Sequence, residues 1–179
     1  MVEFETNDIV LKANTTPDLF SPKDLDIGTK LLLETISKLG LDYQAALDWG
    51  CGWGAISMWL GKYKPSSTIT GLDSDIGAVM VAKQNVVLNA LNNVVIVASH
   101  GFSQVEKRDF DLIVSNPPTH RGREVVEQMI AQSFERLNNN GSLVIVVEAR
   151  LKPWVARQMK LVFGDCSIEA RNAKHVVLM

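Results

Sequence analysis

Residues 47–54 read Leu47-Asp48-Trp49-Gly50-Cys51-Gly52-Trp53-Gly54, and they stand where a short apolar run, Ala45 to Leu47, gives way to a longer one, Ala55 to Leu60. Glycine has no Cβ. It therefore allows the positive φ of a tight turn and lets a ligand approach the backbone, while the amides that open the following helix point outward and can hold a carboxylate or phosphate. Nineteen residues beyond Gly54, Asp73 closes the run ITGLD. A carboxylate there can accept both ribose hydroxyls of a nucleoside lying across the strand ends, which is where open α/β sheets bind their ligands. A nucleoside site is expected. Gly50, Gly52 and Ala55 also satisfy the looser dinucleotide pattern G-x-G-x-x-G/A, so glycine spacing alone leaves a nicotinamide-dependent oxidoreductase open. Two features tilt the choice away from it: Asp48 precedes the first glycine by two positions, and no nicotinamide-directed signature follows. Cys51 reads as a small residue that fits the turn, with no basic neighbour in sequence to activate a thiol.

Working outward from this turn, short apolar runs alternate with longer amphipathic stretches from Tyr43 onward. Thr68 to Leu72, Ala78 to Leu91, Val94 to Ala98, Leu112 to Ser115, Val125 to Leu137, Leu143 to Glu148 and Trp154 to Phe163 continue the pattern, and two final runs centre on Ile168 and Val176. Strand-helix alternation builds βαβ units with right-handed crossovers. The nearly unbroken apolar character of LIVS and SLVIVV suits strands covered on both faces, so the expected fold class is a doubly wound α/β sandwich. Only Ala170 to Ala173 joins the last two runs, too little for a parallel crossover, and the final strand should be antiparallel. Before Tyr43 the chain is different in kind: residues 2 to 12 alternate weakly, Pro17 and Pro22 bracket a loop, and Asp26 to Leu39 carries a helical pattern that Asp26 can cap. The expectation is one domain over residues 1–179, with 1–42 as an N-terminal flap and helix laid over a catalytic core at 43–179.

Composition narrows the function classes. The chain has 179 residues, 18 Lys plus Arg against 20 Asp plus Glu, and a formal net charge of -2. That balance excludes a chain-wide polyanion magnet. Two cysteines make neither a disulfide framework nor a four-cysteine zinc site, and His100, His120 and His175 show no ligand spacing with them, so no metal is expected. No basic stretch leads into an apolar one at the N-terminus, and no apolar run approaches the roughly 20 residues of a membrane helix, so the reading is a soluble cytoplasmic protein without a membrane partner.

The chemistry is carried by Asp111-Leu112-Ile113-Val114-Ser115-Asn116-Pro117-Pro118-Thr119-His120. An amine conjugated to a base or amide is a poor nucleophile because its lone pair is delocalised, so something must rehybridise and aim it. The side-chain carbonyl of Asn116 and the backbone carbonyl of Pro117 can each accept one of its hydrogens, and Pro118 stiffens the turn. D-x-G-x-G-x-G, an acid closing the next strand and then S-N-P-P resembles class I S-adenosylmethionine-dependent methyltransferases that modify planar amino groups. Phe20-Ser21, the run Leu25-Asp26-Ile27-Gly28-Thr29 and Leu31 to Leu33 are similar to the methyltransferase small-domain family, whose ribosomal RNA members methylate the exocyclic amine of guanine. The resemblance covers nearly the whole chain, and Ala98 to Phe102 also matches that subgroup in spacing.

The resemblance implies a Rossmann-like, mostly parallel seven-stranded sheet and in-line methyl transfer from S-adenosylmethionine, with Asn116, Pro117 and Pro118 as the catalytic motif. It implies Asp48 near the methionine ammonium, Gly50, Gly52 and Gly54 along the aminoacyl part, and Asp73 on the ribose. Asn116 borders the cofactor, Thr29 and Phe20 close the pocket from above, and His100 stands where relatives carry a polar residue beside the adenine amine. Relatives usually place an aromatic ring where this chain has Thr119, and threonine cannot stack on a base; His120 or Phe102 is the candidate replacement, with Arg121 next to them as a substrate contact. The expected partner is RNA, from the ribosome or its subunits. Arg121 and Arg123 follow the motif, and residues 148–174 hold six cations (Arg150, Lys152, Arg157, Lys160, Arg171, Lys174) against three acids (Glu148, Asp165, Glu169), a surplus of three. N-P-P also resembles glutamine methyltransferases of release factors and adenine-amino DNA methyltransferases, and a catalytically silent cofactor-binding module is the remaining alternative.

Overall fold

The short apolar runs fold as strands and the longer amphipathic ones as helices. The computed structural model describes residues 1–106 and 108–179 and gives His120 by its backbone alone. A hairpin of β1 (Val2–Thr6) and β2 (Ile9–Ala13) leads through a loop into α1 (Ile27–Leu39). There follow β3 (Ala45–Trp49), α2 (Ala55–Tyr63), β4 (Thr68–Asp73), α3 (Ile76–Leu88), β5 (Val94–Ala98) and β6 (Phe110–Ser115). The chain ends with α4 (Arg123–Arg136), β7 (Leu137–Glu148), α5 (Lys152–Phe163), β8 (Ile168–Arg171) and β9 (His175–Leu178).

Strands β3 to β9 form one seven-stranded sheet in the order β5-β4-β3-β6-β7-β9-β8. Those up to β7 pair in parallel, and β9 runs antiparallel to both β7 and β8. This is the doubly wound architecture that the alternation predicts, with the antiparallel last strand set between its two neighbours. The winding reverses between β3 and β6. At such a switch point the crossovers on either side diverge and leave a crevice beyond the carboxyl ends of the strands.

Side chains along the central strands alternate between two apolar layers. Ala46, Leu112, Val114, Val144 and Val146 join the layer that holds the hairpin, α1, α2 and α3. Leu47, Ile113, Leu143, Ile145 and Val147 join the layer under α4 and α5. Burial on both faces is why these strands read as continuous apolar runs. Strand β7 starts at Leu137, six residues before the run beginning at Leu143 that marks it in the sequence. Asn138 to Gly141 looks like a turn, yet Asn138 donates to Asp111 Oδ1, and an added Cβ on Gly141 would lie 2.6 Å from the Phe110 carbonyl oxygen. The glycine lets the two backbones approach and the ladder extend.

Helix α1 begins at its predicted cap: the Asp26 side chain accepts from Thr29 N, and Gly40 closes the far end in the left-handed conformation. The hairpin is tied to the sandwich by polar contacts as well as by Phe4 and Leu11. Trp59 Nε1 donates to the Thr6 carbonyl at 3.2 Å, and buried Asn85 on α3 both accepts from Asn14 N at 2.7 Å and donates to Asn14 O at 2.9 Å. Among the described residues no helix is long and apolar enough to cross a membrane.

Candidate functional site

A cleft of about 650 Å³ opens at the switch point, beyond the carboxyl ends of the parallel strands. Gly50, Gly52 and Trp53 line it from the turn after β3, Asp73 from the end of β4, and Asn116 to Thr119 from the segment after β6. Glu148 and Arg150 contribute from the end of β7, Lys174 and His175 from the start of antiparallel β9, and Phe20, Asp26 and Thr29 from the approach to α1 and its first turn.

The glycine turn is held from beneath. Gly50 N and Cys51 N both donate to the Leu72 carbonyl, at 2.8 and 2.9 Å, and Gly52 N donates to Asp73 Oδ2 at 2.9 Å. Gly50 and Gly52 have φ of 76° and 53°, and a Cβ on either would meet nothing within 4 Å. The upper surface of the turn is therefore bare backbone facing open space. Asp73 Oδ1 accepts from Asp75 N at 3.0 Å, so each carboxylate oxygen anchors one backbone amide and keeps further acceptor capacity for a ligand.

Asp48 is fully buried under the turn and does not line the cleft. Its Oδ2 accepts from Ser57 N at 2.9 Å and from Ser57 Oγ at 2.6 Å, while Oδ1 is buried without a hydrogen-bond partner among the described residues. Burial pushes this carboxyl up to about 7, the Ser57 bonds opposing the rise and Asp73 adding to it. Burial, then the charges of Asp48 and Asp73, hold the Cys51 thiol well above its usual range. That thiol stays protonated and is no nucleophile.

After β6 the backbone turns sharply. Ser115 Oγ donates to the Trp49 carbonyl at 2.7 Å, joining the ends of β6 and β3, and Thr119 N donates to the Pro117 carbonyl at 2.8 Å. Pro118 at φ -73°, ψ 75° is the centre of an inverse γ-turn. One lone pair of the Pro117 oxygen is thus used within the turn and one is left. Asn116 Nδ2 donates to Asp26 Oδ2 at 3.1 Å and to Thr29 Oγ1 at 2.9 Å.

Of the residues singled out in the sequence, Gly50, Gly52, Asp73, Asn116, Pro117, Pro118, Thr119 and Thr29 share the cleft. Gly54, the N-cap of α2, is not among the residues that line the cleft, and a Cβ there would lie 3.2 Å from the Ala82 Cβ on α3. His100 is exposed in a separate depression with Phe102, Ser103, Gln132, Glu135 and Arg136 and is not among the residues that line the cleft. The Phe102 ring is 7% exposed, meets Trp49 edge-on at 4.8 Å, carries the Arg136 guanidinium over it at 4.7 Å, and does not line the cleft. Arg121 is exposed in the short helical turn Thr119–Arg121 beside the cleft, and the His120 side chain lies outside the described residues.

The sequence reading missed the far wall. Glu148 closes β7 as Asp73 closes β4, a positional signal that was available; His175 pairs with Glu148 across the antiparallel register, which only the sheet order reveals. Arg150 Nε donates to Glu148 Oε2 at 2.5 Å, and this hydrogen bond holds the Glu148 carboxyl below its ordinary range. The reading also left out the second role of Asp26, as an acceptor for Asn116 as well as a helix cap.

Comparison with known proteins adds an independent finding. Residues 10–179 match the family model described as methyltransferase small domain. Over 165 residues the chain is 42% identical to a ribosomal RNA small subunit methyltransferase C of Actinobacillus pleuropneumoniae, covering 90% of this chain and 49% of that protein. Over 180 residues it is 31% identical to a ribosomal RNA large subunit methyltransferase G of Shewanella pealeana, covering 94% of this chain and 43% of that protein. Among solved structures, a T. Thermophilus 16S rRNA methyltransferase in complex with AdoMet and guanosine superimposes with a TM-score of 0.89 at 24% identity, over 98% of this chain and 48% of that one. The chain spans about half the length of the curated relatives it matches.

Proposed function

Because the chain belongs to the methyltransferase small-domain family, we propose that it is an S-adenosylmethionine-dependent N-methyltransferase acting on the exocyclic amine of guanine in ribosomal RNA. The observation that carries this reading is the convergence, in one cleft, of the bare glycine turn, the Asp73 carboxylate and the Asn116-Pro117-Pro118 turn. The relatives' names supply the substrate class: both are ribosomal RNA methyltransferases, and the T. Thermophilus complex contains guanosine.

The residues fit the cofactor. A Cβ at Gly50 or Gly52 would project into open space, so the backbone there can be approached by a ligand, and Asp73 keeps acceptor capacity for ribose hydroxyls. Asp73, Gly50 and Gly52 would hold the cofactor, while Asp48, buried beneath them, ties the end of β3 to α2 through Ser57. When bound, S-adenosylmethionine supplies an electrophilic methyl group on sulfur. The chain's own part is to aim the acceptor. Asn116 Oδ1 and the spare lone pair of the Pro117 carbonyl each accept one hydrogen of the amine, which draws nitrogen towards a tetrahedral geometry with its lone pair facing the methyl. Positioning of this kind contributes roughly 7 to 11 kcal/mol when the reactants are held near attack geometry. No side chain forms a covalent bond. Thr119 offers no aromatic face, but Phe20 stands 64% exposed on the cleft's rim, its carbonyl anchored by Trp53 Nε1 at 3.0 Å, and we assign base stacking to it.

The test is incubation of the protein with labelled S-adenosylmethionine and undermethylated ribosomal subunits or total RNA, followed by nucleoside mass spectrometry. The expected product is guanosine methylated on its exocyclic nitrogen. Label in protein or DNA instead would replace the substrate class, and cofactor binding without label in any fraction would make the chain a binding module.

A further inference from the structure

The amide of Asn116 has two nearly isosteric ends, and the proposed chemistry works with only one of them turned towards the substrate. An oxygen facing the acceptor amine draws on its hydrogens; an NH2 group there opposes them. Something must therefore decide which end faces the cleft. We propose that Asp26 and Thr29 are positioning residues that lock this amide with its oxygen towards the cleft, a role that rests on the reading of Asn116 as the amine's acceptor.

The lock is visible in the hydrogen bonds. Asn116 Nδ2 lies 3.1 Å from Asp26 Oδ2 and 2.9 Å from Thr29 Oγ1. A hydroxyl can donate or accept, so Thr29 alone would tolerate either end of the amide. A carboxylate only accepts. Asp26 breaks the tie, because turning the amide over would set the Asn116 carbonyl against a carboxylate oxygen. The Thr29 hydroxyl also has Asp26 Oδ2 within 3.4 Å, and with its hydrogen directed there its lone pair faces the Asn116 amide. The loop closes with Thr29 N donating to the same Oδ2 at 2.9 Å. Thr29 is 5% exposed, so water has little room to substitute for its hydroxyl.

This geometry gives Thr29 a role beside the one the resemblance implies: it lines the cleft, and its hydroxyl is committed to the catalytic amide. It also explains why the segment before β3 belongs to the site: α1 presents its cap and its third residue to a turn about ninety positions away in sequence, after β6.

Three substitutions separate the lock from the helix cap. Asp26→Ser keeps a capping oxygen but is too short to hold Asn116 Nδ2 as well, Thr29→Val keeps the shape without the hydroxyl, and Thr29→Ser restores the hydroxyl. Asp26→Ser and Thr29→Val are expected to lower kcat for RNA methylation by about tenfold or more, with the cofactor Kd within about twofold of wild type, because the lost order acts on the transition state. Thr29→Ser should recover most of the lost turnover. A second readout needs no reaction: in ¹⁵N-labelled protein, the Asn116 side-chain amide, identified by its loss in Asn116→Ala, should exchange its hydrogens about tenfold faster in Thr29→Val than in wild type. Wild-type kcat in both damaged variants would overturn the lock. So would a fall in kcat matched by an equal loss of cofactor binding or by melting, with amide exchange unmoved. Slow amide exchange in a wild-type protein that methylates no RNA would overturn the functional reading alone and leave the lock standing.

Discussion

Asn116 and Asp73 share a cleft but act on different quantities, and substitution should separate them. Asn116→Ala removes an acceptor that matters when the amine rehybridises, so kcat should fall by at least about a hundredfold while S-adenosylmethionine affinity stays nearly intact. Asp73→Ala should weaken cofactor binding itself, by roughly 1.5 to 3 kcal/mol per hydrogen bond lost from a charged group, as read by titration calorimetry. An unchanged Kd would remove Asp73 from the cofactor site. Asp48 makes a third kind of prediction, in pH. Its carboxyl is raised from 3.8 to about 7 by burial. Below about pH 4 the folded and unfolded forms are both protonated; between about 4 and 7 only the folded form keeps the proton, so stability falls as pH rises through that window and levels off above it. The Asp48→Asn protein has no such proton to lose. Its melting temperature should therefore gain on wild type between about pH 5 and pH 7.5, and parallel melting curves would mean that Asp48 does not titrate there.

At the scale of elements, two asparagines fasten the hairpin to α3: Asn89 at the helix's C-terminal cap accepts from Lys12 N at 3.0 Å and donates to Lys12 O at 2.7 Å, and Asn85 lies one turn before it. Asn85 is fully buried, accepts from Asn14 N, and donates to the carbonyls of Asn14 and Trp53 at 2.9 Å each. It thus fastens the end of β2 to the glycine turn. Asn85→Ala leaves the buried Trp53 carbonyl unpaired, a cost of about 1 to 3 kcal/mol, so the melting temperature should drop by roughly 3 to 10 °C in a domain of this size. A shift within a degree or two would mean that water replaces the side chain. The same contact shows what could be read from the sequence and what could not. The turn at Gly50 to Gly54 and the cap at Asp26 are local: every partner lies within a few residues or follows from strand-helix alternation. The lining by His175, the Asn85 tether and the Asp26–Asn116 bond are set by sheet order, which places β9 beside β7 and α1 across both. The placement of Phe102 outside the cleft lining was illegible for a related reason. A residue shortly after a strand can turn to either layer of the sandwich, and Trp49, Phe110 and Arg136 had already built an aromatic pocket on the other side.

The whole molecule poses an electrostatic problem, since a chain of net charge -2 is proposed to act on a polyanion. The total is a poor guide at these distances, because fields beyond roughly 8 to 10 Å are screened at physiological salt. What counts is the rim of the cleft. Arg121 is exposed two residues past the lining residue Thr119, and Arg150 and Lys174 are exposed on the far wall, with Glu148 paired to Arg150 and so offsetting it, while Arg123 lies over the Trp154 ring of α5. RNA phosphates drawn along this rim would release counterions, giving a KM for RNA that climbs steeply between about 50 and 200 mM salt. The double variant Arg121→Ala, Lys174→Ala should flatten the slope of log KM against log salt by about 0.7 to 0.9 for each phosphate contact removed. Free guanosine carries no phosphate, so its methylation should show no such slope in either protein. An unchanged slope in the double variant would route the RNA over a different face, with the Arg157, Lys160 and Arg171 side chains, also exposed, the next to substitute.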